Sequence, residues 1–292
     1  MKIPELKGCG TALVTPFLED GEVDYEAYGA LVERQVAGGV DFLVPLGTTA
    51  ETPTLDPMER LALLDITHDV AGKLPMLVGC GSNSVRGTLY NMQALEGSAA
   101  DAWLVVVPFY NKPTQEGMYQ YYKAIAAESS KPIVMYNVPG RTGVNMLPET
   151  ALRIAREIPG IIGIKEASGK LEQAARIVAE APSDFVVLSG DDDLTLDMMK
   201  AGARGVISVA SNILPDKVSA MTRAALEGRW DDASAMNEAL KPLYKACFVE
   251  SNPIPAKAAL SLMGFCGDMM RLPLVPASAA TRELMKSVLS AF

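Results

Sequence analysis

The sequence predicts an α/β fold, a (β/α)8 TIM barrel with a small C-terminal helical extension, and three observations point there. Short runs rich in Val, Ile or Leu recur eight times along the chain. Helical stretches fall between them, so that the strand-plus-helix unit repeats roughly every 25–35 residues, as a βαβ unit does. No Gly-x-Gly-x-x-Gly turn follows the first run, which weakens the case for an open dinucleotide-binding sheet.

The strands are expected at Gly10–Val14, Phe42–Leu46, Met76–Gly79, Trp103–Val107, Ile133–Tyr136, Ile161–Lys165, Phe185–Ser189 and Gly205–Val209. Helices are expected at Asp24–Ala37, Asp56–Ala71, Thr114–Ser129, Leu171–Ala181 and Pro215–Glu227. Asp56-Pro57 is a start signal, an N-cap followed by proline at the first helical position. The barrel then occupies 1–228 and a helical domain 229–292, the latter punctuated by Pro253 and Pro255 and ending in a helix over Pro276–Ser290. No low-complexity linker separates the two, so the tail is expected to pack on the barrel.

Composition narrows the function classes. A chain of 292 residues, 49% hydrophobic and 21% charged, is that of an ordinary globular enzyme with a large core. A formal net charge of −9 argues against nucleic acid or an anionic membrane surface as the main partner, while leaving room for an anionic substrate in a locally cationic pocket. Met1-Lys2-Ile3-Pro4-Glu5 lacks the apolar core of a signal peptide, and no apolar run approaches the roughly 20 residues that span a bilayer. Cys9, Cys80, Cys247 and Cys266 show no C-x-x-C spacing and read as reduced thiols of a cytoplasmic protein. With His68 the only histidine, a Ser-His-Asp triad and multi-histidine metal sites are excluded. His68 itself is expected on a helix surface, and Met198-Met199 and Met269-Met270 as packing fillers.

In a barrel of this kind chemistry gathers at the C-terminal ends of the strands. Lys165 ends the run Gly160-Ile161-Ile162-Gly163-Ile164-Lys165-Glu166-Ala167, a strand apolar enough to be covered on both faces. Burial disfavours an ammonium and favours the free amine that can attack a carbonyl, which makes Lys165 a candidate Schiff-base nucleophile. The run by itself equally suits a lysine that snorkels outward and pairs with Glu166. The strand height favours the first reading, and Glu166, next along the strand, is expected to face away from the barrel interior. Tyr136 ends the preceding strand, about 4.8 Å away, and can serve as general acid and base; a tyrosine that merely satisfies a backbone group is the plainer alternative. Arg141 follows the Pro139-Gly140 turn, where its guanidinium can bend over the barrel mouth toward a carboxylate or remain a surface charge. Gly47-Thr48-Thr49-Ala50-Glu51 offers hydroxyls and N–H groups to a small anion, or only a cap for the next helix. Asp191-Asp192-Asp193 reads as helix-capping carboxylates in preference to a metal site.

Taken together, Gly47-Thr48-Thr49-x-Glu51, Tyr136-Asn137-Val138-Pro139-x-Arg141-Thr142-Gly143 and Gly163-Ile164-Lys165-Glu166-Ala167 resemble the 4-hydroxy-tetrahydrodipicolinate synthase (dihydrodipicolinate synthase) family of pyruvate-dependent class I aldolases. Ser189-Gly190-Asp191-Asp192, Gly205-Val206-Ile207-Ser208-Val209 and Phe248-Val249-Glu250-x-Asn252-Pro253-Ile254-Pro255 match as well, and the likeness runs from about Gly10 to Pro273. The resemblance implies a lyase of lysine and diaminopimelate biosynthesis in which Lys165 forms the Schiff base with pyruvate and Tyr136 moves protons through Thr48 and Tyr110. It further implies that Thr49, Gly190 and the backbone near Ile207 serve substrate binding, and that Arg141 takes the carboxylate of L-aspartate 4-semialdehyde. The tyrosine matching Tyr110 reaches in from a neighbouring subunit in that family, which implies a homo-oligomer, a tetramer built from dimers. No metal or organic cofactor is implied. The runner-up within the superfamily is a lyase for 2-keto-3-deoxy sugar acids or N-acetylneuraminate, which the Arg-Thr-Gly ending disfavours. A non-catalytic keto-acid sensor would have no need of the intact Lys165, Tyr136 and Thr48 set.

Two departures stand out. Ala50 replaces a family glycine, tolerable if its φ is negative. The positions that bind feedback lysine in relatives hold Pro53, Pro57, Arg60, Gly87 and Phe109, with Asn83 alone matching, so lysine inhibition is expected to be weak or absent.

Overall fold

Eight parallel strands wind around one axis in the computed structural model, which describes residues 4–292. The expectation about a signal peptide rests in part on Met1-Lys2-Ile3, which lie outside the described residues. The order along the chain is β1 (Gly8–Ala12), α1 (Tyr25–Ala37), β2 (Phe42–Val44), α2 (Pro57–Ala71), β3 (Leu77–Gly79), α3 (Val85–Ala94), β4 (Ala102–Val106), α4 (Gln115–Glu128) and β5 (Ile133–Asn137). The single turn α5 (Pro139–Thr142) precedes α6 (Pro148–Glu157), β6 (Ile161–Glu166), α7 (Leu171–Glu180), β7 (Val186–Ser189), α8 (Thr195–Lys200), β8 (Gly205–Ser208) and α9 (Pro215–Leu226). The tail adds α10 (Trp230–Ala246), α11 (Ile254–Leu262) and α12 (Ala279–Leu289).

Neighbouring strands follow the order β2-β1-β8-β7-β6-β5-β4-β3. A parallel bridge from Leu43 to Met76, with Leu43 N donating to Pro75 O at 2.9 Å, joins the two ends and closes the barrel. Closure removes the free edges that an open sheet exposes. The first strand starts two residues before its expected place, because Gly8–Thr11 pair with Gly205–Ser208.

Side chains alternate between two apolar layers, as the pleat requires. Ala12, Phe42, Val44, Leu77, Leu104, Val134, Tyr136, Leu188 and Ile207 fill the barrel interior. Cys9, Leu43, Val78, Trp103, Val105, Met135, Val187 and Val206 pack outward against the helices. The strand β6 breaks the alternation. Ile133 pairs with Ile161 but Val134 pairs with Gly163, so Ile162 is the extra residue of a bulge. Ile161 and Ile164 both join the outer layer while Ile162 joins the inner one. The slip turns Lys165 inward, opposite Tyr136.

The start of α2 follows the expected chemistry: Asp56 accepts from Met58 N and Glu59 N, and Glu59 returns the bond to Asp56 N at 2.8 Å. His68 is exposed on that helix, and Met198, Met199 and Met270 are buried. Among the described residues no helix is long and apolar enough to cross a membrane.

Candidate active site

The C-terminal ends of β2, β5 and β6 open into a cavity of about 420 Å³ whose polar lining includes Thr48, Arg60, Ser82, Tyr136, Arg141 and Lys165. Lys165 is buried, and its Nζ lies 4.2 Å from the centre of the Tyr136 ring. No carboxylate among the described residues forms an ion pair with it. Glu166 points the other way, as expected: its carboxylate accepts from Asn137 Nδ2 at 3.0 Å, Ser168 N at 2.7 Å and Gln173 Nε2 at 3.2 Å. The neighbouring carboxylate is therefore saturated by donors of β5, α7 and the loop between β6 and α7, and the snorkelling pair does not form.

Glycine at 190 makes room for the lysine stem. A Cβ there would stand 3.0 Å from Lys165 Cε and 2.6 Å from Ala167 Cβ. Asp191 follows at the same end of β7, and burial pushes its carboxyl up to about 6, Asp193 adding to the rise while the Lys165 charge opposes it.

Residues Thr48–Ala50 form a 3-10 turn between β2 and α2. The N–H groups of Ala50 and Glu51 bond back to Gly47 O and Thr48 O. Those of Thr48 and Thr49, the first two of the turn, have no acceptor among the described residues, the usual state of a helix start and a ready place for an anion. Ala50 is not among the residues of positive φ, so its extra methyl is accommodated; Glu51 carries the left-handed conformation, at φ 53°.

A residue of the tail ties these parts together. Asn252 Nδ2 donates to Thr49 Oγ1 at 2.9 Å, and Asn252 O accepts from Arg141 Nη2 at 3.2 Å. The sequence flagged the Asn252 segment as a motif but gave it no role, because both contacts span more than a hundred positions, 203 and 111.

Four of the expected site residues, Thr48, Tyr136, Arg141 and Lys165, thus face one cavity, with Gly190 against the lysine. Thr49 is buried behind the turn, and Ile207 lies in the barrel interior. Tyr110 stands apart, 88% exposed with φ 72°, and a single chain does not bring it to Lys165. The aspartate run caps a different turn from the one expected. Asp192 Oδ2 accepts from Val209 N at 3.0 Å and Ala210 N at 3.1 Å, after β8, whereas α8 has no side-chain cap.

The profile of the Dihydrodipicolinate synthetase family matches residues 5–292. The chain belongs to this family. Among dihydrodipicolinate synthetase relatives, the 4-hydroxy-tetrahydrodipicolinate synthase of Thermotoga neapolitana is 51% identical over 287 residues, 97% of each chain. The crystal structure of dihydrodipicolinate synthase from Thermotoga maritima superposes with a TM-score of 0.96 at 49% identity, covering 98% of both chains. The chloride-inhibited dihydrodipicolinate synthase from Acinetobacter baumannii, solved with pyruvate, gives 0.96 at 40% identity over 98% of this chain and 99% of that one. The dihydrodipicolinate synthetase fold thus extends over the C-terminal helices as well as the barrel.

Proposed function

We propose that the chain is a 4-hydroxy-tetrahydrodipicolinate synthase, condensing pyruvate with L-aspartate 4-semialdehyde, with Lys165 as its nucleophile. The observation that carries the reading is a buried lysine with no ion pair among the described residues, 4.2 Å from a tyrosine ring and facing a cavity shared with Thr48 and Arg141. In its free-amine form Lys165 attacks C2 of pyruvate, and the carbinolamine expels water to give an iminium. Loss of a C3 proton yields the enamine, whose C3 adds to the aldehyde carbon. The amino group of the aldehyde substrate then attacks C2, closes the ring and releases Lys165. Each step moves a proton, and in this reading Tyr136 and Thr48, which line the same cavity as Lys165, carry it. The orphan N–H groups of the Thr48–Thr49 turn suit the pyruvate carboxylate, and Arg141, anchored on Asn252, suits that of the semialdehyde.

The exposed Tyr110 completes the proton relay in a neighbouring copy, so the reading includes a homo-oligomer, a tetramer built from dimers. It also includes a cytoplasmic location, in keeping with the four free cysteines. Feedback by lysine is weak or absent in this reading. Gly87 brings no carboxylate to pair an effector ammonium, Phe109 brings no hydroxyl, and Arg60 is engaged with Thr52 O and Leu55 O.

Borohydride reduction in the presence of pyruvate tests the assignment. The expected result is one adduct, mapped to Lys165 by mass spectrometry and lost in Lys165→Ala. Turnover with aspartate semialdehyde but not with 2-keto-3-deoxy sugar acids separates the synthase from its lyase relatives; no adduct at Lys165 sinks both.

A further inference from the structure

Behind the Thr48–Thr49 turn, a buried ion pair reaches across the molecule to the C-terminal helices. Glu51 closes the turn in the left-handed region, at φ 53° and ψ 33°, where a residue with a side chain is disfavoured. Its Oε1 accepts from Lys257 Nζ at 2.8 Å and its Oε2 from Arg271 N at 3.2 Å. Lys257 belongs to α11, and the two side chains are 0% and 1% exposed. The Lys257 ammonium also stands 4.3 Å from the Phe17 ring, and the Arg271 guanidinium 4.5 Å from it. Arg271 in turn pairs with Glu59 on α2 and holds Thr54 O at 2.9 Å.

Stability alone does not account for such a pair. Two charges taken out of water gain little over apolar side chains of similar volume. What they do supply is a single geometry: a carboxylate bonded at both oxygens fixes its own backbone. The fixed residue here is the one whose left-handed conformation ends the 3-10 turn, with Thr48 toward the cavity and Thr49 on Asn252.

We propose that Glu51 and Lys257 are a positioning pair that holds the Thr48–Thr49 turn in its pyruvate-binding geometry, an inference that rests on the Schiff-base reading above. Neither residue lines the cavity. Their loss is expected to weaken pyruvate binding ahead of the chemistry at Lys165, and to do so independently of folding.

The test compares Lys257→Met, Glu51→Gln and the double variant Lys257→Met/Glu51→Leu in the full chain. Thermal unfolding, steady-state kinetics with pyruvate varied, and borohydride trapping at saturating pyruvate are read for each. Lys257→Met, left with an unpaired buried carboxylate, is expected to melt lower than wild type. Both single variants should show a pyruvate KM raised about tenfold or more, with the Lys165 adduct still formed at saturation. In the double variant neither member of the pair is left as a lone buried charge, so the melting temperature recovers while the KM stays raised. A KM that returns to the wild-type value together with stability overturns the proposal, as does an unchanged KM in the single variants. Should a single variant fail to fold, the double variant decides on the same readouts. Wild-type protein that takes no adduct at Lys165 overturns the underlying reading and the proposal with it, a failure distinct from an adduct that forms with KM unmoved.

Discussion

Asp191 shows how the electrostatics of the site trade against stability. Its carboxyl titrates at about 6 in the folded chain because burial and Asp193 disfavour the charge more than Lys165 attracts it. An unfolded chain would release that proton near 3.9. Between those values the native state binds more protons than the unfolded one, so this group makes stability fall as pH rises from about 4 through 6. Asp191→Asn is therefore expected to raise stability at pH 7, by at most about 3 kcal/mol and less for a group still partly wet. The gain should vanish by about pH 4, which paired thermal melts at the two pH values would measure. A loss at pH 7 would mean that attraction to Lys165 outweighs burial. Gly190, one residue earlier, carries a steric counterpart. The Cβ of Gly190→Ala would press on Lys165 Cε at 3.0 Å, and displacement of the proposed nucleophile is expected to lower kcat/KM by about tenfold or more.

Among the elements, β6 decides whether the lysine is useful. All eight strands were legible in the sequence, because a strand covered on both faces must be a continuous apolar run. Lys165 was legible as the polar residue that ends one. The bulge at Ile162 was not, since register is a property of the pair, and Ile161-Ile162 offers no polar residue to mark the slip. The inward direction of Lys165 was therefore expected correctly from the height of the strand, while its cause lies in the pairing with Val134. The same strand contains Gly163, where a Cβ would stand 2.4 Å from Val186 O. That contact is with backbone, so relief requires β6 and β7 to part. Gly163→Ala is expected to cost about 1–3 kcal/mol, read from the urea midpoint. Turnover should fall by more than the unfolded fraction explains, because Lys165 pairs with Leu188 across the same seam.

At the scale of the whole molecule, the site depends on chain segments that sequence spacing keeps far apart. The tail supplies Asn252 to Thr49 and Arg141, and Lys257 to Glu51; none of these contacts leaves a local pattern, and only family likeness drew attention to the segment. The role proposed for Tyr110 extends this logic beyond one chain. The tyrosine sits 88% exposed on a left-handed backbone, outside the cavity whose relay it is proposed to complete. If each copy lends its Tyr110 to a neighbour, two inactive variants can repair one another. Lys165→Ala and Tyr110→Phe are each expected to be nearly inactive, with size unchanged in sedimentation. In a mixed dimer, one site carries both lesions and the other carries neither. Random exchange between the two variants should then restore about one quarter of wild-type turnover, since half the dimers are mixed and half their sites intact, as an isologous pair requires. If Tyr110 served its own chain, every site would keep one lesion, and mixing would restore nothing.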